Sequence, residues 1–464
     1  MFMWFENKKI YKETLKLAAP IMIYMGITNA VGLIDNLMVG SLGTESISAV
    51  SIAVQLIFVY NLAVFGAVSG PGIYAAQYYG QKNKEGFWNV FRLKLWLSFL
   101  VLLIGTLIFK FYGQNLINLY LQGSNSGIDS KLTLKLSDEY LQVMLWGLLP
   151  FALTQVFSGS LRETGDSVKP MVAGLVSVVT DIIFNYLLIF GKFGFPCMGV
   201  KGAALATVIS RLFETITVIL WAFFAKNKNE YITKAFKTLK IHSSNLKEIL
   251  IKSIPLFLNE FLWAAGFVAV YQCYSLKGLD VVAGINIAMT LHNLVIVIVV
   301  AMGTAIGIII GQQLGASQFE EAKKNSMLLT KFSFFICLAV TFFIILISKY
   351  VPEFYNTTKK IKELAKNFIV INALYLPVQA VLNSLYFTLR SGGKTFITFL
   401  FDSVFTCFCV APVAFLLCKY TNLSIITILI SVSCLDFIKI IIGYILIKKG
   451  IWISNLVEEK RSAK

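Results

Sequence analysis

The side chains best able to do chemistry in this 464-residue sequence are the few ionisable groups set inside long apolar stretches. These are Asp35, Asp181, Arg211 with Glu214, Glu260, Asp402, and Asp436 with Lys439. A charge in the middle of a bilayer costs about 2.5–3.5 kcal/mol on insertion scales, so each needs a reason. Asp35, in NAVGLIDNLMVG, has no basic residue near it in sequence. Such a carboxylate calls for a proton, or for Na⁺ where more oxygen ligands are close. Thr28 and Gly32 precede it on the same helix face, and Asp181 and Asn185 share a face at i,i+4. Asp35, Asp181 and Asn185 together make the candidate ion site, with Asp35 as the Na⁺ ligand if the ion is a metal. The bland alternative is that Asp35 caps a helix end.

A second set of polar groups falls later in the chain. Asn259 and Glu260 lie in PLFLNEFLW, just after Pro255, and Gln379 and Asn383 are spaced i,i+4 with Tyr386 a turn on. They read as a substrate-binding or second polar site, or as ordinary interhelical hydrogen bonds. Arg211 with Glu214 and Asp436 with Lys439 are spaced i,i+3 and read as structural pairs. His292 reads as a packing histidine.

The elements that must carry these groups are membrane helices. Hydrophobic residues make up 57% of the chain and charged ones 14%, and mean hydropathy is +0.75. A soluble chain sits near 45–50% and about 25%. Apolar runs long enough to cross about 30 Å of hydrocarbon fall near residues 17–39, 46–75, 95–115, 138–160, 170–190, 201–224, 250–272, 280–312, 329–348, 367–388, 396–418 and 424–446. The fold class is an all-α integral membrane protein of about twelve spans. The second and eighth runs exceed a single crossing and should tilt or project. The N-terminal MFMWFENKKIYKE has no signal-peptide pattern, so the first span is expected to remain.

The net charge of +17 tracks the loops rather than forming a patch, which argues against a nucleic-acid partner. Lys and Arg concentrate in loops on the side of the N-terminus, predicting an inner (cytoplasmic) membrane protein with both termini cytoplasmic. Seven scattered cysteines and two histidines offer no metal-ligand spacing. No nucleophile and base cluster in the spans, and there is no GxxxxGK[ST], so neither an enzyme nor a nucleotide-driven pump is expected. No cofactor is expected beyond a coupling Na⁺ or H⁺.

The chain repeats itself. Pro20 and Pro255, Gly43 and Gly278, Ala53 and Ala288, Gly72 and Gly307, Gln77 and Gln312, and Gly80 and Gly315 all lie 235 residues apart. LRETG at 161–165 returns as LRSGG at 389–393, an offset of 228. A run at fixed offset means duplication. Six spans per half give two six-helix bundles of the same orientation, related by a pseudo-two-fold along the membrane normal, with the substrate path expected between them. The predicted bounds are residues 1–225 for the first bundle, 226–249 for a solvated cytoplasmic linker, and 250–464 for the second bundle with a short tail. Pro20 and Pro255 read as kinks or hinges, or as packing features.

On these motifs, the sequence resembles the multidrug and toxic compound extrusion (MATE) family. The resemblance is carried by PIMIYMGITNAVGLIDNLMVGSLG, AQYYGQKN, LRETGD, IPLFLNEFLW, GQQLGA and LRSGGKT, and it spans essentially the whole chain. It implies Na⁺- or H⁺-driven antiport of small amphipathic organic cations or drugs by alternating access, by a monomer in the lipid bilayer. Asp35 matches the family's first-span carboxylate. In the fifth span the family's Asn-then-Asp order is reversed to Asp181 then Asn185, and Glu260 is a candidate for the seventh-span Glu. Gln379 stands near a tenth-span Asp found in some members, so its uncharged side chain favours coupling through the first half. The alternative within the same superfamily is a flippase of lipid-linked oligosaccharide or another lipid. The scarcity of membrane-embedded Arg and Lys weighs against a pyrophosphate cavity.

Overall fold

The computed structural model describes residues 7–121, 129–224, 230–238, 240–241 and 246–458. Among them are twelve helices long and apolar enough to cross a membrane, and no strand. In chain order they are α1 (Lys8–Gly40), α2 (Thr44–Gly80), α3 (Lys84–Leu121), α4 (Ser130–Glu163), α5 (Val168–Phe190), α6 (Gly199–Phe224), α7 (Leu246–Ser275), α8 (Leu279–Gly315), α9 (Phe319–Ile347), α10 (Lys359–Ser391), α11 (Thr395–Tyr420) and α12 (Ile425–Lys448). This is a multi-pass membrane protein. The helices outrun the apolar stretches at their ends. α3 begins eleven residues before its apolar run because helical hydrogen bonding continues where the side chains turn polar. α2 and α8, at 37 residues each, exceed one crossing as the sequence predicts.

Local chemistry sets several of the ends. Asp129 accepts from the amides of Lys131 and Leu132 at 2.9 and 3.2 Å to cap α4. Thr358 and Ser424 cap α10 and α12 in the same way. α11 departs from regular helix, running through π-helical turns at Leu400–Val404 and Thr406–Val410. Cys407 and Cys409 lie in that stretch, and both are free thiols.

The chain divides into two compact units. One holds Ile23–Ala75 and Lys84–Ser244; the other holds Met1–Met22, Ala76–Asn83 and Asn245–Lys464. We call them the first and second units. α1 and α2 thus each contribute to both, changing over two residues after Pro20 and four after Pro71. The start of α1 counts with the second unit because Ile10, Tyr11, Leu17 and Ala18 share an apolar core with Met302, Ile306, Ile309 and Leu329. The other core of that unit gathers buried residues from α7 to α12, among them Cys273, Ala288, Phe368, Ala380 and Ile428.

Within the second unit, the repeat shows itself as a reciprocal contact. A Cβ on Gly80 would lie 1.9 Å from the Gln312 carbonyl oxygen, and one on Gly315 would lie 1.9 Å from that of Gln77. Only glycine lets the ends of α2 and α8 approach backbone to backbone.

Residues 226–249 lie partly outside the described ones. The described part is more than a solvated loop. Glu230–Thr233 forms a helical turn followed by a 3-10 turn, and α3 holds both. Trp88 donates to the Glu230 carbonyl at 3.0 Å, and Arg92 donates to those of Ala235 and Lys240 at 2.7 and 3.1 Å. Phe236 stacks on Phe157, with ring centroids 6.0 Å apart. Charge counting missed this because Arg92 and Phe236 look like loop residues until a partner is near.

Candidate functional site

In the first unit, α1, α5 and α6 bring one polar cluster together. The Asn185 side-chain nitrogen donates to Asp35 Oδ1 at 2.9 Å and to Asp181 Oδ2 at 3.0 Å. Ser210 on α6 donates its hydroxyl to Asp181 Oδ1 at 3.1 Å. One amide nitrogen thus joins the two carboxyl groups. Asn185 is 2% exposed and Asp181 6%. The carboxamide oxygen of Asn185 is buried and accepts no hydrogen bond. An orphaned buried acceptor costs about 1–3 kcal/mol, and beside two carboxylates it is a ready ligand for a cation.

The three residues singled out by charge and i,i+4 spacing are thus brought together. Asp35 lies five residues inside the end of α1 and bonds across to α5, so it is not a helix cap. Thr28, though on the same face, gives its hydroxyl to the Tyr24 carbonyl at 2.8 Å. Ser210 was not singled out, since a lone serine in an apolar helix carries no signal. Among the described residues no group of three His, Cys, Asp or Glu side chains has the arrangement to hold a metal. The oxygens of this cluster are two carboxylates, an amide and a hydroxyl. Hard monovalent cations and protons suit that set; Zn²⁺, which favours nitrogen and sulfur, does not.

Arg211 and Glu214 do not close the expected i,i+3 pair. Arg211 donates to the Gly147 carbonyl at 3.2 Å and its guanidinium lies over Phe151, 5.0 Å from the ring centroid. Glu214 instead accepts from the Tyr24 hydroxyl at 3.2 Å. A carbonyl and a ring from α4, and a phenol from α1, outcompete the within-helix partner. Asp436 and Lys439 do pair, at 3.1 Å. Tyr375 adds a hydrogen bond to Asp436, and Lys439 donates to Thr406 at 3.3 Å.

The second unit holds another polar cluster, built around α7, α10 and α11. Asn259 donates to Asp402 Oδ2 at 3.2 Å and to the Tyr386 hydroxyl at 3.4 Å. Ser403 donates to Asn259 Oδ1 at 2.6 Å and to its carbonyl at 2.9 Å. Glu260 is half-buried, and its charged neighbours are Arg390 and Asp402. The expected second site therefore comes together only in part. Gln379 and Asn383 make no hydrogen bond through their buried oxygens, so they are not the interhelical clasps their spacing allows. Asn383 lies against Gly303, where a Cβ would sit 1.8 Å from its oxygen. Asp402 takes the central place instead. It was visible as an intramembrane charge, but no periodic partner on α11 pointed to Asn259.

The MatE family's sequence model matches residues 20–187 and 255–416, one segment in each repeat. The chain belongs to the MatE family. The probable multidrug resistance protein NorM of Thermotoga maritima is 27% identical over 431 residues, covering 91% of this chain and 88% of that one. The probable multidrug resistance protein YoeA of Bacillus subtilis is 24% identical over 422 residues, covering 90% and 89%. A solved structure described as the outward-facing conformation of a multidrug resistance MATE family transporter of the MOP superfamily superposes with a TM-score of 0.83. It is 22% identical and covers 95% of each chain. The MatE matches break between residues 187 and 255, a stretch that contains Ser210, Arg211 and Glu214. Part of the first-unit cluster thus lies outside the matched segments.

Proposed function

We propose that this MatE-family chain exports small amphipathic organic cations across the cytoplasmic membrane in exchange for Na⁺ or H⁺. The family and the names of its relatives support drug export. The coupling assignment rests on one observation: the Asn185 carboxamide joins Asp35 and Asp181 and keeps its own oxygen free. In this reading the ion enters at Asp35, with Asp181, Asn185 and Ser210 completing its oxygen shell. An arriving proton sits on one of the two facing carboxyls. The protein alternates between two accesses as a monomer, its termini in the cytoplasm, with Pro20 and Pro255 as bending points. Ion and substrate favour different states, since a ligand shifts such an equilibrium only through its differential affinity. Asn259, Glu260 and Asp402 are assigned to the substrate side.

The test is efflux of an ethidium-type dye from proteoliposomes with Na⁺ and pH gradients imposed separately. Response to one gradient, lost in Asp35→Asn while the variant still binds dye, is the expected result. An Asp35→Asn protein that still exports against a dye gradient overturns the coupling assignment. Folded wild-type protein that moves no dye under either gradient turns attention to lipid-linked substrates.

A further inference from the structure

The chain after α12 does not simply leave the membrane. Gly450 turns it back with φ of +70°, and Trp452 is driven into the second-unit core with no exposed surface. The next residues run across the ends of three helices. Gln77, on the last turn of α2 and fully buried, donates its side-chain nitrogen to the carbonyls of Ser391 at 2.9 Å and Ser454 at 3.3 Å. Its side-chain oxygen accepts from the Leu456 amide at 2.7 Å. Gln81 reaches the Val457 carbonyl at 3.5 Å. Asn455 donates to the Gly315 carbonyl at 3.4 Å and the Ser317 hydroxyl at 3.0 Å, at the end of α8. At the end of α10, a Cβ on Gly392 would lie 1.7 Å from the Trp452 carbonyl oxygen. One on Gly393, where φ is +74°, would lie 2.7 Å from Leu456.

Three features set this segment apart from an ordinary tail. It joins the last turn of α2, from the first repeat, to the ends of α8 and α10, from the second. It does so through side-chain carboxamides, several at 3.3–3.5 Å, rather than through a backbone ladder. Contacts of that length are weak individually and separable. And α2 is one of the two helices that change unit along their length.

We infer that Gly450–Val457 is a releasable latch, and that the carboxamide of Gln77 is its catch. While Gln77 is engaged, the end of α2 stays on the ends of α8 and α10. Completion of the transport cycle requires the segment to let go of Gln77 and Gln81. The repeat supplies the receptor: the Gly80 and Gly315 contacts bring the two helix ends together, and the segment covers the seam. This rests on the exporter reading only for its transport readout.

The test uses Gln81→Cys with Glu458→Cys in full-length protein whose seven native cysteines are replaced by alanine. A short bismaleimide-type linker with a cleavable disulfide joins the two positions, and dye efflux is measured. Linking should stop efflux and reduction should restore it, while the unlinked variant transports throughout. Efflux that continues at the unlinked rate with the link formed overturns the latch. A second measurement needs no transport. Spin labels at Asn83→Cys and Glu320→Cys report the separation of the α2 and α8 ends. In the chain truncated after Lys449, and in Gln77→Ala, a longer-distance population should grow; an unchanged distribution in folded protein overturns the proposal. If the unlinked protein moves no dye, the exporter reading fails and the spin-label distances alone decide the latch.

Discussion

Where α1 meets α5, the ring of Tyr24 lies against Gly174, so closely that a Cβ there would sit 2.0 Å from it. The repeat offsets of 235 and 228 map this pair onto Asn259 and Asp402, where α7 meets α11. There a short amide donates to a carboxylate at 3.2 Å. In the first unit the position is filled by a ring and its hydroxyl is committed to Glu214. The ionisable pair sits further along, at Asp35 and Asp181. In the second unit the carboxylate stands at the contact itself. By contrast, Gly80 with Gln312 and Gly315 with Gln77 have stayed alike. Duplication preserved the backbone contact and left the polar groups free to diverge.

The largest effect should come where the repeats agree. Gly80→Ala and Gly315→Ala each press a methyl group against a backbone carbonyl that cannot rotate away. Each should cost about 3 kcal/mol or more, seen as a lower unfolding temperature in detergent. Nearly equal losses fit the reciprocal geometry; a loss at one position alone breaks it.

Next comes the contact where the repeats differ. Gly174→Ala should cost about 1–3 kcal/mol, and Tyr24→Ala should recover much of that loss in the double variant. Strictly additive losses would mean the ring is not what the new methyl meets. Asn259→Ala strips the donor from Asp402 and the acceptor from Ser403, for about 1–3 kcal/mol. It should also shift dye affinity more than ion dependence, and the reverse pattern would undo the assignment of the two units.

The smallest effect belongs at the surface. Lys84 and Lys234 hold the Glu230 carboxyl at about 2, below its ordinary 4.5. A depressed carboxylate contributes stability above 4.5 that is lost as pH falls from there toward 2. The pair is exposed, so Glu230→Gln should leave the unfolding temperature at pH 7 nearly unchanged. A large drop at pH 7 would show the linker segment to be more tightly tied to α3 than its contacts indicate.

Much of this was legible in the sequence, for physical reasons. Twelve spans are readable because lipid leaves no choice but long apolar helices. Asp35, Asp181 and Asn185 are readable because a polar group in such a helix stands out, and i,i+4 spacing aligns two of them. What escaped depends on contacts between distant segments. Ser210 is an ordinary helical serine until Asp181 faces it. Glu214 looks paired with Arg211 until Tyr24 arrives from α1. The segment around Trp452 reads as a polar tail because its partners, Gln77 and Gly392, are marked only by their size and their place in the repeat.

The most direct test of a coupling role for Asp35 compares wild type, Asp35→Asn and Asp402→Asn in the same proteoliposomes, following dye accumulation against its own gradient under an imposed ion gradient. Asp35→Asn should fail to concentrate dye at any dye level, whereas Asp402→Asn should still do so but need more dye. Gradient-driven accumulation that survives in Asp35→Asn and disappears in Asp402→Asn would contradict that role.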